Sequence, residues 1–79
     1  MEAPSLLKAW RAKRGLSQEE AAKLVGVHQN TWSDWENDHK APRIEAALRI
    51  DVVTGGDCPV HAWADGEVRT EWLALRAAA

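Results

Sequence analysis

The stretch from Ser17 to Asn37 leaves this chain little freedom. Ser17-Gln18-Glu19-Glu20 is a capping box. The Ser17 hydroxyl can accept from the amide of Glu20, whose carboxylate can reach back to the amide of Ser17, so a helix is expected to start here. It runs to about Val25, with Ala21, Ala22, Leu24 and Val25 as inner residues, and Gly26 ends it. Gly26-Val27 is too short for a loop and long enough for a tight turn. A further helix then runs from about Gln29 to Asn37, with Trp32 and Trp35 three apart on one face. Two helices joined by so short a turn can cross steeply only if their contact points are small. Ala22 is small where the next helix must approach, and Gly26 stands where the turn needs a positive φ, which glycine adopts without a Cβ clash. Val25, Val27, Trp32 and Trp35 supply the apolar side of the corner.

The flanking segments also read as helices. Pro4-Ser5 opens a first one to about Arg14, with Leu6, Leu7 and Trp10 on one stripe, Lys13 and Arg14 in the last turn, and Gly15 as the stop. Asn37 to Pro42 is a polar loop. A fourth helix follows from roughly Arg43 to Val53, with Ile44, Ala47, Leu48 and Val52 facing inward, and Gly55-Gly56 breaks it. Asp57 or Cys58 is expected to cap a short fifth helix, with Pro59 in its first turn, that ends near Ala64; Asp65-Gly66 is a turn. The tail from Glu67 to Ala79 admits two readings. Val68, Trp72 and Leu75 share one face of a helix, while Val68, Thr70 and Trp72 alternate as a strand would; Leu, Arg and the alanine run favour the helix. The expected organisation is an all-α domain over 1–66 and a C-terminal extension over 67–79.

Seventy-nine residues bury a single modest core. The 46% apolar and 28% charged content is that of a globular chain. A single cysteine, Cys58, allows no internal disulfide, and no suitably spaced His joins it in a metal site. There is no membrane-length apolar run and no signal-peptide h-region, which points to a soluble protein of a reducing cytoplasm. The net charge of −2 is low for a nucleic-acid binder. Its distribution is uneven: residues 1–43 carry seven Lys/Arg against six Asp/Glu, and residues 44–79 three against six. Lys8, Arg11, Lys13 and Arg14 form a basic cluster without an acid among them, so the front of the chain suits a surface facing DNA.

With these residues in hand, the segment from about Leu7 to Trp63 resembles the phage repressor/Cro family, the Xre-type helix-turn-helix domain. Arg11, Gly15-Leu16-Ser17-Gln18, Ala22, Gly26-Val27, Thr31 and Trp35-Glu36-Asn37 carry the likeness. The resemblance implies a five-helix, lambda-repressor-like fold with a short C-terminal helical extension, in a bacterial or phage-infected bacterial cell. It implies that the third helix enters the major groove of double-stranded DNA by its N-terminus. Gln29 and Asn30 then lead the exposed face, with Asp34 one turn on and Ser33 beside it. Gln and Asn amides match adenine's N7 and N6, and Asp can accept from a cytosine amine. Gln18 would bond a backbone phosphate at a positive helix end, with Thr31, Asn37, Lys40, Arg43 and Arg14 as further phosphate ligands. His28 either faces a phosphate or is a solvated turn residue, and Asp34 is either a cytosine reader or a solvated carboxylate. Arg11 and Glu36 would form a structural ion pair.

Trp10, Trp32 and Trp35 are expected in the core. Trp63, Trp72 and Leu75 are dimer candidates, the two tryptophans alternatively lidding the core. Glu19 and Glu20 point apart on a helix, and His39, His61 and Cys58 have no triad or metal spacing, so no enzyme, no metal, no cofactor and no small-molecule ligand is expected. The function expected is a sequence-specific regulator, a Cro-like repressor binding a palindromic operator as a homodimer, with no second sensor domain and no membrane association. The rival is an antitoxin-like or adaptor module whose main task is to bind a protein partner.

Overall fold

The structure, a computed structural model, describes residues 3–63 and Leu75. Its elements in chain order are α1 (Ala3–Arg14), α2 (Gln18–Val25), α3 (Gln29–Glu36) and α4 (Ile44–Val53), followed by a 3-10 turn at Val60–Trp63. There is no strand among the described residues. α2 packs on α3, α1 crosses α3, and α4 closes over α2. No helix among the described residues is long and apolar enough to cross a membrane.

The capping box at Ser17 is formed as the sequence reads: Glu20 N–H donates to Ser17 Oγ at 3.1 Å, and Ser17 N–H donates to Glu20 Oε1 at 2.9 Å. These bonds hold the Glu20 carboxyl below its ordinary range, the amide of Ser17 contributing most. α1 starts two residues earlier than expected, with Pro4 inside its first turn, where a missing N–H costs no bond.

All four helices end on one bonding pattern. The amides one and two residues past the last turn fold back to carbonyls inside the helix, and the residue at the bend is left-handed. For α2 the bonds are Gly26 N–H to Lys23 O at 3.2 Å and Val27 N–H to Ala22 O at 3.0 Å, with Gly26 at φ +81°. Gly15 and Gly55 hold the bend after α1 and α4. After α3 the same bend falls on Asp38, at φ +59°, with His39 N–H bonded to Asp34 O at 2.9 Å and Asp38 N–H to Trp35 O at 3.3 Å.

The core is built from Ala3, Leu7, Trp10, Ala21, Ala22, Val25, Trp32, Trp35, Ile50 and Cys58. The three tryptophans expected inside are there: Trp32 stands 6.4 Å from Trp10 and 6.1 Å from Trp35 between ring centroids, tilted at 45° and 52°. Such tilted contacts suit the ring quadrupoles.

Four residues expected to face inward do not. Leu24, Ile44, Leu48 and Val52 are exposed. α4 is apolar around most of its circumference, so its pattern alone does not select a face. Packing selects the stripe Ala47, Ile50 and Thr54, where small Ala47 and Thr54 admit close approach and Ile50 fills the space between.

The expected fifth helix is corrected to the 3-10 turn Val60–Trp63 within the described residues, closed by Ala62 N–H to Pro59 O at 3.0 Å. Asp57 and Cys58 do not cap it. Asp51 of α4 does, accepting from Val60 N–H through Oδ2 at 3.0 Å. Cys58 is instead an anchor: its amide donates to Thr54 Oγ1 at 3.1 Å and its thiol to the Ala3 carbonyl at 3.7 Å. Burial, with Asp51 adding, pushes that thiol up to about 12.

Candidate nucleic-acid interface

α3 is held from one side and open on the other. Its Glu36 is the point of attachment. Arg11 of α1 donates through Nε to Oε2 at 2.6 Å and through Nη2 to Oε1 at 3.0 Å, the two-pronged geometry of a guanidinium on a carboxylate. Gln18 of α2 donates to Oε1 at 3.3 Å, and Trp32, one turn back on α3, donates its indole N–H to Oε2. The Glu36 side chain is 2% exposed, and that of Arg11 19%. Burial pushes the Glu36 carboxyl upward, but the bonds from Arg11, Trp32 and Gln18 outweigh it, so the net displacement is downward. The same bond raises Arg11. Arg11 also donates through Nη1 to Leu16 O at 3.0 Å, which fixes the turn entering α2. The ion pair expected between Arg11 and Glu36 is thus present.

On the open side, Gln29 and Asn30 lead α3 and are exposed, with no side-chain bond to any described residue. They line a broad groove of about 710 Å³ with Glu19, Lys23, Gly26, Val27 and His28. His28 stands at the N-cap with extended backbone (φ −71°, ψ 152°) but makes no side-chain cap. Ser33 and Asp34 are half-buried, and Ser33 Oγ accepts from Asn37 Nδ2 at 3.2 Å. Asp34 lies 3.9 Å from the Lys40 ammonium, which partly offsets its negative charge, and 3.7 Å from His39 Nδ1.

Three of the phosphate candidates come together. Thr31 from α3, Lys40 from the loop and Arg43 at the start of α4 line one hollow of about 330 Å³, with the acid Glu45 also on its wall. Arg49 joins them there, a residue that sequence reasoning missed. It also donates to the Val25 carbonyl at 3.4 Å, and its guanidinium lies 3.8 Å from where a Cβ on Gly26 would stand. A helical wheel centred on Ile50 turns Arg49 toward the end of α2, whereas one centred on Leu48 does not. Gln18 is set apart from this hollow and tethered to Glu36, with one amide hydrogen left for another acceptor. Arg14 stands over the Trp10 ring at 5.7 Å, and Asn37 is exposed at the end of α3.

A helix-turn-helix family matches residues 7–58, from the middle of α1 through α2, α3 and α4 to Cys58. The chain belongs to that family, of the Xre/Cro type. No curated protein and no solved structure matches the chain. As a helix-turn-helix protein it is a DNA-binding regulator. α2 and α3 are then the two helices of the motif, and Gly26 sits in its turn. Of the dimer candidates, Trp63 is half-buried and packs against the core, as a lid would. Leu75 is helical and exposed, and Trp72 lies outside the described residues.

Proposed function

We propose that this protein is a sequence-specific repressor that binds a palindromic operator in double-stranded DNA as a homodimer. The observation that carries this reading is the asymmetry of α3. Two other helices, α1 and α2, fix its inner face through Glu36, with Trp32 of α3 itself closing on the same carboxylate, while Gln29 and Asn30 at its leading end are exposed and uncommitted to any described residue. A rigid helix with free amides at its tip suits adenine edges, with Ser33 and Asp34 following along the groove. Thr31, Lys40, Arg43 and Arg14 then ride the backbone, Gln18 with its spare amide hydrogen and Asn37 beside them, and His28 borders the phosphates. The reading takes 1–66 as the DNA-binding domain and 67–79 as an extension, in a cytoplasmic protein that catalyses nothing and needs no cofactor.

The rival, a module whose main task is to hold a protein partner, draws on the exposed apolar face of α4. Titration against the DNA upstream of its own gene and against scrambled DNA, each at two salt concentrations, separates the two. Specific binders exceed their non-specific affinity by roughly a thousandfold or more, so a preference below about tenfold defeats the operator reading. Within that assay Gln29→Ala should cost about 1–3 kcal/mol and relax preference at one or two base pairs. An equal loss on every sequence would remove Gln29 from the base readers.

A further inference from the structure

Of the exposed large aliphatic residues, the four on α2 and α4 gather on one surface. Ile44, Leu48 and Val52 recur every four residues along the outer face of α4 and are 59%, 48% and 81% exposed; Leu24 of α2, 56% exposed, stands alongside. Leu24, Leu48, Val52 and Val53, with Arg49 at the edge, line a largely apolar groove of about 280 Å³. A polar domain of this size has no folding reason to place three aliphatic side chains in register on its solvent face, and such a patch marks a contact.

We infer that this face binds the same face of a second copy, α4 against α4 in antiparallel, about a two-fold axis beside Leu48. The inference rests on the homodimer reading and supplies its surface. Two features of the sequence on α4 select this occupant over a foreign chain. The first is register. With Leu48 at the axis, Ile44 of one copy comes level with Val52 of the other, and so enters the groove that Leu24, Val52 and Val53 leave open; the symmetry repeats the fit. The second is charge. Glu45 and Arg49 are both exposed and lie on the same flank of the apolar stripe, at the border of the hollow that holds Lys40 and Arg43. Arg49 keeps further N–H donors beside the one on the Val25 carbonyl. In an antiparallel pair like flanks meet, and Glu45 falls within two residues, about 3 Å of helical rise, of the partner's Arg49. Each copy gives one acid and one base to the other, so opposite charges meet on both sides of the axis. Flanking pairs of this kind fix partner and orientation.

The full chain is tested by sedimentation equilibrium. Self-association is expected to weaken by more than about tenfold in Leu48→Glu with Val52→Glu, as when interface anchors are removed. Both residues lie outside the core, so helical content and melting should hold. Glu45→Arg alone should weaken it, and Arg49→Glu added to Glu45→Arg should restore it. Mild oxidation of Leu48→Cys should give covalent dimers, and Lys8→Cys on α1 should not, since the native Cys58 is buried and stays silent. A dimer indifferent to all these changes overturns the inference and leaves the homodimer standing on another surface. A monomer that still selects its operator overturns the inference and the homodimer together, but not the DNA reading.

Discussion

Glu36 takes hydrogen bonds from α1, α2 and its own helix, and each of its two oxygens accepts two of them. A carboxylate that is 2% exposed is stable in its charged form only because those donors replace water. The consequence is directional. Glu36→Gln keeps the shape but strands the Arg11 guanidinium, and should lower stability by about 3–5 kcal/mol. That is a large share of what a small domain has, so the companion variant Arg11→Met with Glu36→Met, which leaves no charge behind, should recover much of the loss. Urea denaturation read by tryptophan fluorescence measures both. The pH dependence follows from the lowered carboxyl. A group whose folded pKa lies below its unfolded value contributes stability that is full above the unfolded value, about 4.3 for Glu, and lost as the pH falls through the lower folded value. Acid should therefore destabilise the wild type below about pH 4, and the double variant less. A variant pair with equal acid sensitivity would place the titrating group elsewhere.

At the scale of the element, the four helices end alike, and their bends make opposite predictions. At Gly26 a Cβ would meet nothing closer than 3.8 Å, so Gly26→Ala is opposed by its φ of +81° alone and should cost about 1–2 kcal/mol. Asp38 carries the same left-handed bend without being glycine, so Asp38→Gly should stabilise by roughly 0.5–1 kcal/mol. In a thermal melt each kcal/mol moves a domain of this size by about 4–8 °C, so the two variants should shift in opposite directions. If Asp38→Gly lowers the midpoint instead, its carboxylate is stabilising the loop. The same comparison shows what the sequence makes legible. Gly15, Gly26 and the Gly55-Gly56 pair are stops that can be read directly, and the capping box marks the start of α2. Asp38 bears no such mark, because the requirement lies in the backbone and Asp only tolerates it. α4 was legible as a helix but not in its orientation: with Ile44, Ala46, Ala47, Leu48, Ile50, Val52 and Val53 in ten residues, several stripes are apolar enough to be buried. The choice of Ile50 comes from the shape of the space beneath it. The Arg11–Glu36 pair could be expected from the resemblance, whereas the indole of Trp32 closing on Glu36 depends on how α3 settles against the core.

At the scale of the molecule the question is how a chain of net charge −2 holds a polyanion. The cations proposed for the backbone are few: Arg14, Lys40 and Arg43 in each protomer, with Gln18, Thr31 and Asn37 contributing neutral donors that release no counterions. Three cations in each of two protomers predict a slope of log K against log salt of about −5, at roughly 0.9 for each neutralised phosphate. Lys40 is the informative one. In the free protein its ammonium lies 3.9 Å from Asp34, both partly or largely solvated, and a pair of that kind is held by ~1 kcal/mol or less. A phosphate can therefore draw Lys40 away and free Asp34 to turn toward a base. On that exchange Lys40→Ala removes two phosphate contacts per dimer, so it should flatten the slope by about 2 and weaken binding equally on all sequences. Asp34→Asn should leave the slope nearly unchanged and relax preference at a single position, because it alters what is read and not how many phosphates are neutralised. Electrophoretic titrations of the two variants from low to physiological salt separate these effects. If Lys40→Ala leaves the slope as it was, Lys40 stays on Asp34 in the complex, and the base-reading role of Asp34 falls with it.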